Sequence, residues 1–324
     1  MTETMTALMK QKAGNGHVAL AERSIPDIAA DEVLIEIECC GVCGSDLHIQ
    51  TGLHHSSPPI ILGHEFAGII AKIGADVTNV DIDDRVAFRR PWHPFPGVDG
   101  DGGFAQFMKA PASGVWSYPD GLTAAEASQF ETVRPPYTMV RDVADLDHGE
   151  NVVISGPGPI GLLVANIASI EGAGSITVLG TEEDTHCRLP LAEQLGADRT
   201  MIFGDEALEA IEHDPPAIWF ETSGAAPAIE AAVSYVAPAG RIVCSGLGSG
   251  PWNVDMRRVA ERNLTIRGQW GGDSSYVLPA AEAMLDETLD VKSIISDIRP
   301  LDEWESAFAD ARAGRVAKVL LDPR

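Results

Sequence analysis

Lysine is scarce: the 324 residues hold six, against 17 arginines and 48 acidic residues, for a formal net charge of −25. A field of that sign repels phosphate backbones and anionic bilayers, so neither a nucleic acid nor a membrane surface is expected as a partner. The acid excess suits a salt-rich cytoplasm and a GC-rich genome equally, and it says nothing about catalysis. Cysteine is sparse too. The five residues, at positions 39, 40, 43, 187 and 244, are an odd set without the spacing of a disulfide framework, and the opening MTETMTALMK lacks an apolar signal core. A reduced, cytoplasmic protein is the expectation. The one uncharged run that imitates a membrane span, 152–170, is broken by Gly156, Pro157, Gly158, Pro159 and Gly161. A strand, a tight turn and a helix fit that punctuation better than a bilayer helix.

With 45% apolar and 22% charged residues, the length suits two domains. Up to about residue 130 the chain carries short β-rich runs broken by Gly and Pro, such as 33–40, 66–73 and 85–89, which predict an irregular, mostly antiparallel β domain. From 152 onward strands alternate with helices: strands at 152–155, 176–179, 217–221, 241–245 and 264–267, and helices at 162–170 and 189–195. That alternation predicts a parallel sheet with helices on both faces. The tail offers helices at 276–285 and 304–313 and a closing strand at 317–321. We expect residues 1–134, completed by 274–324, to form the β domain, and 135–273 the α/β domain.

Gly156-Pro157-Gly158-Pro159-Ile160-Gly161 follows an apolar strand and opens a helix, the context that separates a dinucleotide loop from a chance glycine turn. The glycines permit a tight turn, close approach of backbone to pyrophosphate and close helix–strand packing, while the helix N-terminus offers free N–H groups to the anion. A site selecting NAD carries an acid at the tip of the second strand. Here that strand ends in Gly180-Thr181, and acids follow only at Glu182, Glu183 and Asp184. Thr181 or Arg188 could therefore bond a 2′-phosphate, which leans the expectation toward NADP. The later acids could still reach the ribose of NAD, and Arg188 could be a solvated helix residue.

Cys43 and His64 lie 21 positions apart in GVCGSDLH and GHEFAG. A thiolate and an imidazole with a nearby carboxylate form a ligand set for Zn²⁺ that leaves a coordination position open. Alone, each would pass for a small core residue or a satisfied ring.

Those two runs, with Asp84-Arg85-Val86, Asp101-Gly102-Gly103-Phe104-Ala105, GPGPIG and FETSG (220–224) following in order, make the chain similar to the zinc-containing medium-chain dehydrogenase/reductase family, closest in pattern to its polyol (sorbitol) and threonine dehydrogenase branch. The resemblance spans nearly the whole length. It implies an α/β protein: a GroES-like β catalytic domain plus a doubly wound Rossmann domain, with the C-terminal segment returning to the first. It implies one catalytic zinc per subunit, held by Cys43 and His64, with Glu65 as an exchangeable ligand or a group just behind the metal. Asp46 would orient His64 through its other ring nitrogen, or else cap its own loop as an Asx-turn residue. The third protein ligand should precede the long interdomain helix, where the branch carries Glu-Pro-Leu. This sequence departs with Gln129-Phe130-Glu131-Thr132, and Glu131 is the acid available there. Many members also bind a structural zinc through four cysteines, but no cysteine occurs between 43 and 187, so none is expected. His93, between Trp92 and Pro94, reads as a loop residue and not a ligand.

The resemblance implies interconversion of a secondary alcohol, polyol or sugar-like, with its carbonyl by hydride transfer to or from NAD(P). Ser45 would take the alcohol proton and His48 would pass it outward, a histidine near its usual pKa being suited to that work. A threonine-like amino alcohol or a simple alcohol is the alternative substrate. A zinc-free reductase of the superfamily would lack Cys43 and His64. A non-enzyme that binds the cofactor for a structural or sensing role would not need the full set. A homodimer or homotetramer is expected by family analogy. Replacing Cys43 by Ser is expected to abolish zinc binding and turnover while dinucleotide binding stays measurable; metal analysis beside a rate assay checks this, and retained turnover would contradict it.

Overall fold

The computed structural model describes residues 3–324. Six parallel strands form one sheet: β1 (Asn151–Ser155), β2 (Ser175–Gly180), β3 (Arg199–Ile202), β4 (Ile218–Glu221), β5 (Arg241–Cys244) and β6 (Thr265–Gly268), in the spatial order β3-β2-β1-β4-β5-β6. These strands read as nearly unbroken apolar runs because both of their faces are covered. Ile154, Val178 and Phe220 belong to the core under helix α1 (Pro159–Ile170), while Val153, Leu179, Trp219 and Ile242 pack with Ile211 and Ile229 of the helices on the other face. Strand order reverses between β1 and β4. In such sheets ligands bind outside the carboxyl ends of the strands at that reversal.

The other unit is the irregular β structure. Strand Glu32–Gly41 pairs antiparallel with Glu65–Ile73 and with Phe107–Pro111, and Arg85–Phe88 and Val115–Ser117 extend the sheet. On its other side lies the end of the chain. Lys318–Asp322 pairs with Glu32–Gly41 through Leu320 with Gly41 and Leu321 with Cys40, and Ile295–Pro300 closes the edge. Val33, Ile35, Phe66, Phe88 and Phe104 share a core with Phe308, Val319 and Leu321. The α/β fold thus consists of a GroES-like β unit and a doubly wound sheet. Helix Phe130–Tyr137, buried at all eight positions, runs between them. Pro135 and Pro136 withhold two N–H donors, and the helix continues in a wider π-helical turn over Thr138–Val143.

Aromatic packing fills the stretch 88–103. Trp92 stacks on Phe88, with ring centroids 5.7 Å apart, and meets Phe66 edge-on at 6.2 Å. The following loop is pressed onto Gly63: a Cβ at Gly97 would sit 2.8 Å from the Gly63 nitrogen, and Gly103 N–H donates to the Gly63 carbonyl at 2.8 Å. This packing fixes the residue that precedes His64.

Trp219 has no exposed surface and donates Nε1–H to Ser155 Oγ at 3.0 Å. Trp219→Ala removes a fully buried aromatic and is expected to cost about 3–5 kcal/mol, read as a lowered urea midpoint; a cost within about 0.5 kcal/mol, the usual range for an exposed residue, would contradict the packing.

Candidate active site

Cys43 is the N-cap of the helix Gly44–Thr51 and adopts extended backbone angles there. Asp46, three residues on and without exposed surface, accepts the Cys43 amide at 2.9 Å, and its other oxygen accepts the Gly63 amide at 3.3 Å. One carboxylate thereby ties the loop of Cys43 to the loop of His64. The expected bond from Asp46 to the His64 ring is not formed. Both oxygens are taken by backbone amides, so of the two readings from sequence the capping one describes this structure. Burial pushes the Asp46 carboxyl up from its ordinary range, against the pull of His64 and the two amides.

The Cys43 thiol, a ring nitrogen of His64 and a carboxylate oxygen of Glu65 all lie within 4.8 Å of one another, the one such cluster of three or more among the described residues. His64 is buried, its Nε2 lies 3.4 Å from Ser45 Oγ, and its Nδ1 has no hydrogen-bond partner among the described residues. Burial lowers the basicity of His64, but Cys43, Asp46 and Glu131 outweigh it and hold the ring well above its ordinary pKa. The Phe95 ring stands 5.7 Å from the imidazole and gives the site an apolar wall. His93 is exposed and outside the cluster.

Glu65 has a partner that the sequence reading did not supply. Lys318, on the closing strand, donates Nζ–H to its two oxygens at 2.6 and 2.8 Å and reaches the Val42 carbonyl at 3.2 Å. Both side chains are shut off from water. Burial favours the neutral acid, yet Lys318 holds the Glu65 carboxyl below its ordinary value; burial lowers Lys318 as well, and Glu65 and Cys43 raise it overall. The signal was present as one of only six lysines placed inside the apolar run AKVLL.

Glu131, expected as the third ligand, stands outside the cluster. Its Oε1 accepts from Arg134 at 2.8 Å, one helical turn away, and both side chains are buried. Arg134 also donates to the Gly272 carbonyl at 2.6 Å and lies over the Phe88 ring. One oxygen of Glu131 is thus engaged by a cation on its own helix, as both oxygens of Glu65 are by Lys318; what separates the two acids is that Glu65, and not Glu131, lies in the close trio with Cys43 and His64. His48, on the outer part of the helix that follows Cys43, is half-buried; burial, then His54 and Arg312, lower its pKa. His54 meets the exposed Trp270 of the other unit edge-on, with ring centroids 5.7 Å apart.

In the α/β unit, the glycine loop has three distinct environments. Gly156 has φ +98°, and a Cβ there would stand 2.8 Å from Ser223. A Cβ at Gly161 would run into the Gly156 carbonyl and sit 2.8 Å from Thr222 Oγ1. Gly158, the N-cap of α1, faces open space, and the helix has no side-chain cap. Pro159 opens the helix, followed by Ile160, and the helix starts just after the carboxyl end of β1, next to β4 in the sheet. The loop is therefore closed on two sides and open on the side where a pyrophosphate would lie.

The tip of β2 differs from expectation. Arg188 does not face the crevice. Its guanidinium donates to the carbonyls of Ala311 at 2.7 Å and Val316 at 3.0 Å and touches Asp184 at 3.4 Å, so it joins this end of the sheet to the C-terminal segment. The buried Asp184 caps the turn after Gly180, accepting from the Thr181 amide at 2.9 Å and its hydroxyl at 3.0 Å. Glu182 and Glu183 stay exposed beside Thr181.

Comparisons with known proteins agree with this geometry. Residues 29–120 match the alcohol dehydrogenase GroES-like domain, and 159–287 match the zinc-binding dehydrogenase family. An L-threonine 3-dehydrogenase from Streptomyces avermitilis is 32% identical, with 98% of this chain and 99% of that protein covered. This chain is a zinc-containing medium-chain dehydrogenase/reductase. A D-arabitol-phosphate dehydrogenase from Enterococcus avium is 28% identical over 99% of this chain and 98% of that protein. The fold is shared with a zinc-binding dehydrogenase from Sinorhizobium meliloti bound to NADP, at TM-score 0.89 and 24% identity, covering 99% of this chain and 100% of the other. For this NAD(P)-linked zinc dehydrogenase the trio suits its metal: thiolate, imidazole and carboxylate are zinc donors, and the orphaned His64 nitrogen marks a site short of a partner.

Arg188→Met is expected to remove hydrogen bonds worth about 2 kcal/mol, lowering the thermal midpoint by several degrees, and to leave the ratio of NAD⁺ to NADP⁺ affinity unchanged. A selective loss of NADP⁺ affinity would contradict the place given to this side chain.

Proposed function

We propose that this dehydrogenase oxidises a secondary alcohol of polyol or sugar-like type to its carbonyl, and runs the reverse reaction, using one zinc per subunit and a nicotinamide dinucleotide. The observation that carries the reading is that one chain holds both the cluster of Cys43, His64 and Glu65 and, in the α/β unit, a glycine loop whose face at Gly158 is open. Cys43 and His64 would hold the zinc with Glu65 beside them, while Glu131 stays with Arg134. Bound there, zinc supplies a Lewis acid that brings an alcohol's pKa toward neutrality. The nicotinamide supplies the hydride acceptor. With no cysteine between 43 and 187, no structural zinc is part of the proposal. Residues 1–134 with 274–324 are taken as the catalytic domain and 135–273 as the dinucleotide domain.

The chain's own residues supply alignment and proton traffic. Ser45, one hydrogen-bond length from the imidazole, accepts the alcohol proton. His48, with its lowered pKa, stays neutral at pH 7 and can take that proton toward solvent. Phe95 gives the His64 imidazole an apolar neighbour, and the His54–Trp270 contact joins the two units. The exposed carboxylates of Glu182 and Glu183, together with the engagement of Arg188, favour NAD over the 2′-phosphate of NADP and reverse the lean taken from sequence. Strand β6 lies at the edge of the sheet, where a second copy could add its own, which supports a homodimer or a homotetramer. Among the described residues no helix is long and apolar enough to cross a membrane, and the free cysteines suit a reduced cytoplasm.

The identity to threonine 3-dehydrogenases supports a second reading, an amino alcohol as substrate. Initial rates on sorbitol, arabitol, threonine and 2-propanol with NAD⁺ and NADP⁺ separate the two. Polyol turnover with NAD⁺ is expected, and turnover of threonine alone would replace it. The oxidation rate should fall as pH drops through the lowered pKa of His48, because protonation removes the acceptor. His48→Gln should lower the rate about tenfold or more and abolish that acid limb, and an unchanged pH profile would remove His48 from the relay.

A further inference from the structure

Glu221 is the last residue of β4 and stands at the reversal point of the sheet, within the run FETSG. It has no exposed surface. Its Oε1 accepts three donors: the Ser223 amide at 2.8 Å, the Gly224 amide at 2.9 Å and the Ser223 hydroxyl. Its own backbone carbonyl accepts the Ser245 amide at 2.8 Å and the Gly246 amide at 3.0 Å. One residue therefore anchors both loops that leave the central strands, the turn at 222–224 and the segment after β5. A Cβ at Gly224 would lie 2.7 Å from the Leu247 backbone, so the two loops touch.

The turn that Glu221 braces presses on the dinucleotide loop. Thr222 Oγ1 donates to the Ser155 carbonyl at 2.9 Å and to the Gly156 carbonyl at 2.8 Å, and Ser223 fills the space a Gly156 side chain would need. Thr222 Oγ1 also lies where Gly161 would place a Cβ. The first and last glycines of the loop are thus held against this turn, leaving Gly158 as the open face. The carboxyl group is otherwise expensive here: Oε2 is buried without a partner among the described residues, and a Cβ at Gly246 would stand 2.7 Å from it. Oε1 alone makes the bonds that hold the turn, and a neutral amide oxygen of the same shape could make them too.

We propose that Glu221 is a cofactor-positioning residue, which sets the glycine loop through Thr222 and Ser223 and holds the loop after β5 in register with it. This rests on the reading that the crevice at β1 and β4 takes the dinucleotide. The test is titration of the zinc-loaded protein with NADH, followed by tryptophan quenching, with zinc content and thermal midpoint measured on each variant. Glu221→Ala should weaken NADH binding about tenfold or more while the protein keeps wild-type zinc. Glu221→Gln, whose amide oxygen retains the three donors, should restore affinity to within about threefold of wild type. Rescue by glutamine together with unchanged zinc separates positioning from a general loss of structure. A folded Glu221→Ala protein that binds NADH like wild type overturns the proposal. If that variant does not fold, Thr222→Val, which removes only the hydroxyl contacts, must weaken NADH; wild-type affinity in it overturns the proposal equally. Wild-type protein that binds neither NADH nor NADPH overturns the crevice reading, and the proposal with it.

Discussion

A carboxylate that water cannot reach must be neutralised from within the fold, and for Glu65 the cation is Lys318. That pair joins a strand near the start of the catalytic unit to the last strand of the chain, so the site is complete only when the C-terminus has docked beside Glu32–Gly41. Removing either partner alone would leave a buried charge, which costs several kcal/mol. The same contact governs the charge of the site. Asp46, Glu65 and Glu131 are three buried carboxyl groups near Cys43 and His64, and Lys318 and Arg134 are the cations paired with two of them. The raised pKa of His64 comes from the same surroundings, Cys43, Asp46 and Glu131 together outweighing the effect of burial.

The cofactor side rests on shape more than on charge. At Gly156 and Gly161 a single methyl group would collide with the neighbouring turn, whereas Gly158 faces nothing within 4 Å. The open side of the crevice is therefore defined by what fills its other sides, and the filling comes from β4, a strand that enters the chain about 60 residues after the loop it supports. The two units meet where the His54 ring stands edge-on to Trp270.

Much of this was legible in the sequence because the signals were local. A glycine run between a strand and a helix, and a Cys and a His in two short loops, declare their chemistry within a few residues. The strands around 152, 176, 218 and 241 were readable since burial on both faces leaves an unbroken apolar pattern. Strand Arg199–Ile202 and helix Asp205–His213 escaped notice; the helix is only nine residues long, and Ala207 and Ile211 are its only buried side chains. The side-chain partners that the sequence did not disclose are distant or competing ones. Arg188 finds its acceptors more than 120 positions away, at Ala311 and Val316, and Lys318 meets Glu65 from 253 positions away. Glu131 was placed on the right helix, but Arg134, one turn on, claims it. Asp46 was read by proximity to His64, when two backbone amides were the stronger claim on its oxygens.

The central claim is that the trio of Cys43, His64 and Glu65 holds one zinc on which dehydrogenation depends. Zinc titrated back into chelator-treated protein, with NADH formation followed on a substrate alcohol, tests it most directly. The account predicts an activity that is absent without metal and rises linearly to a sharp break at one zinc per chain. Full activity in the metal-free protein, or a break at two zinc ions per chain, would contradict it.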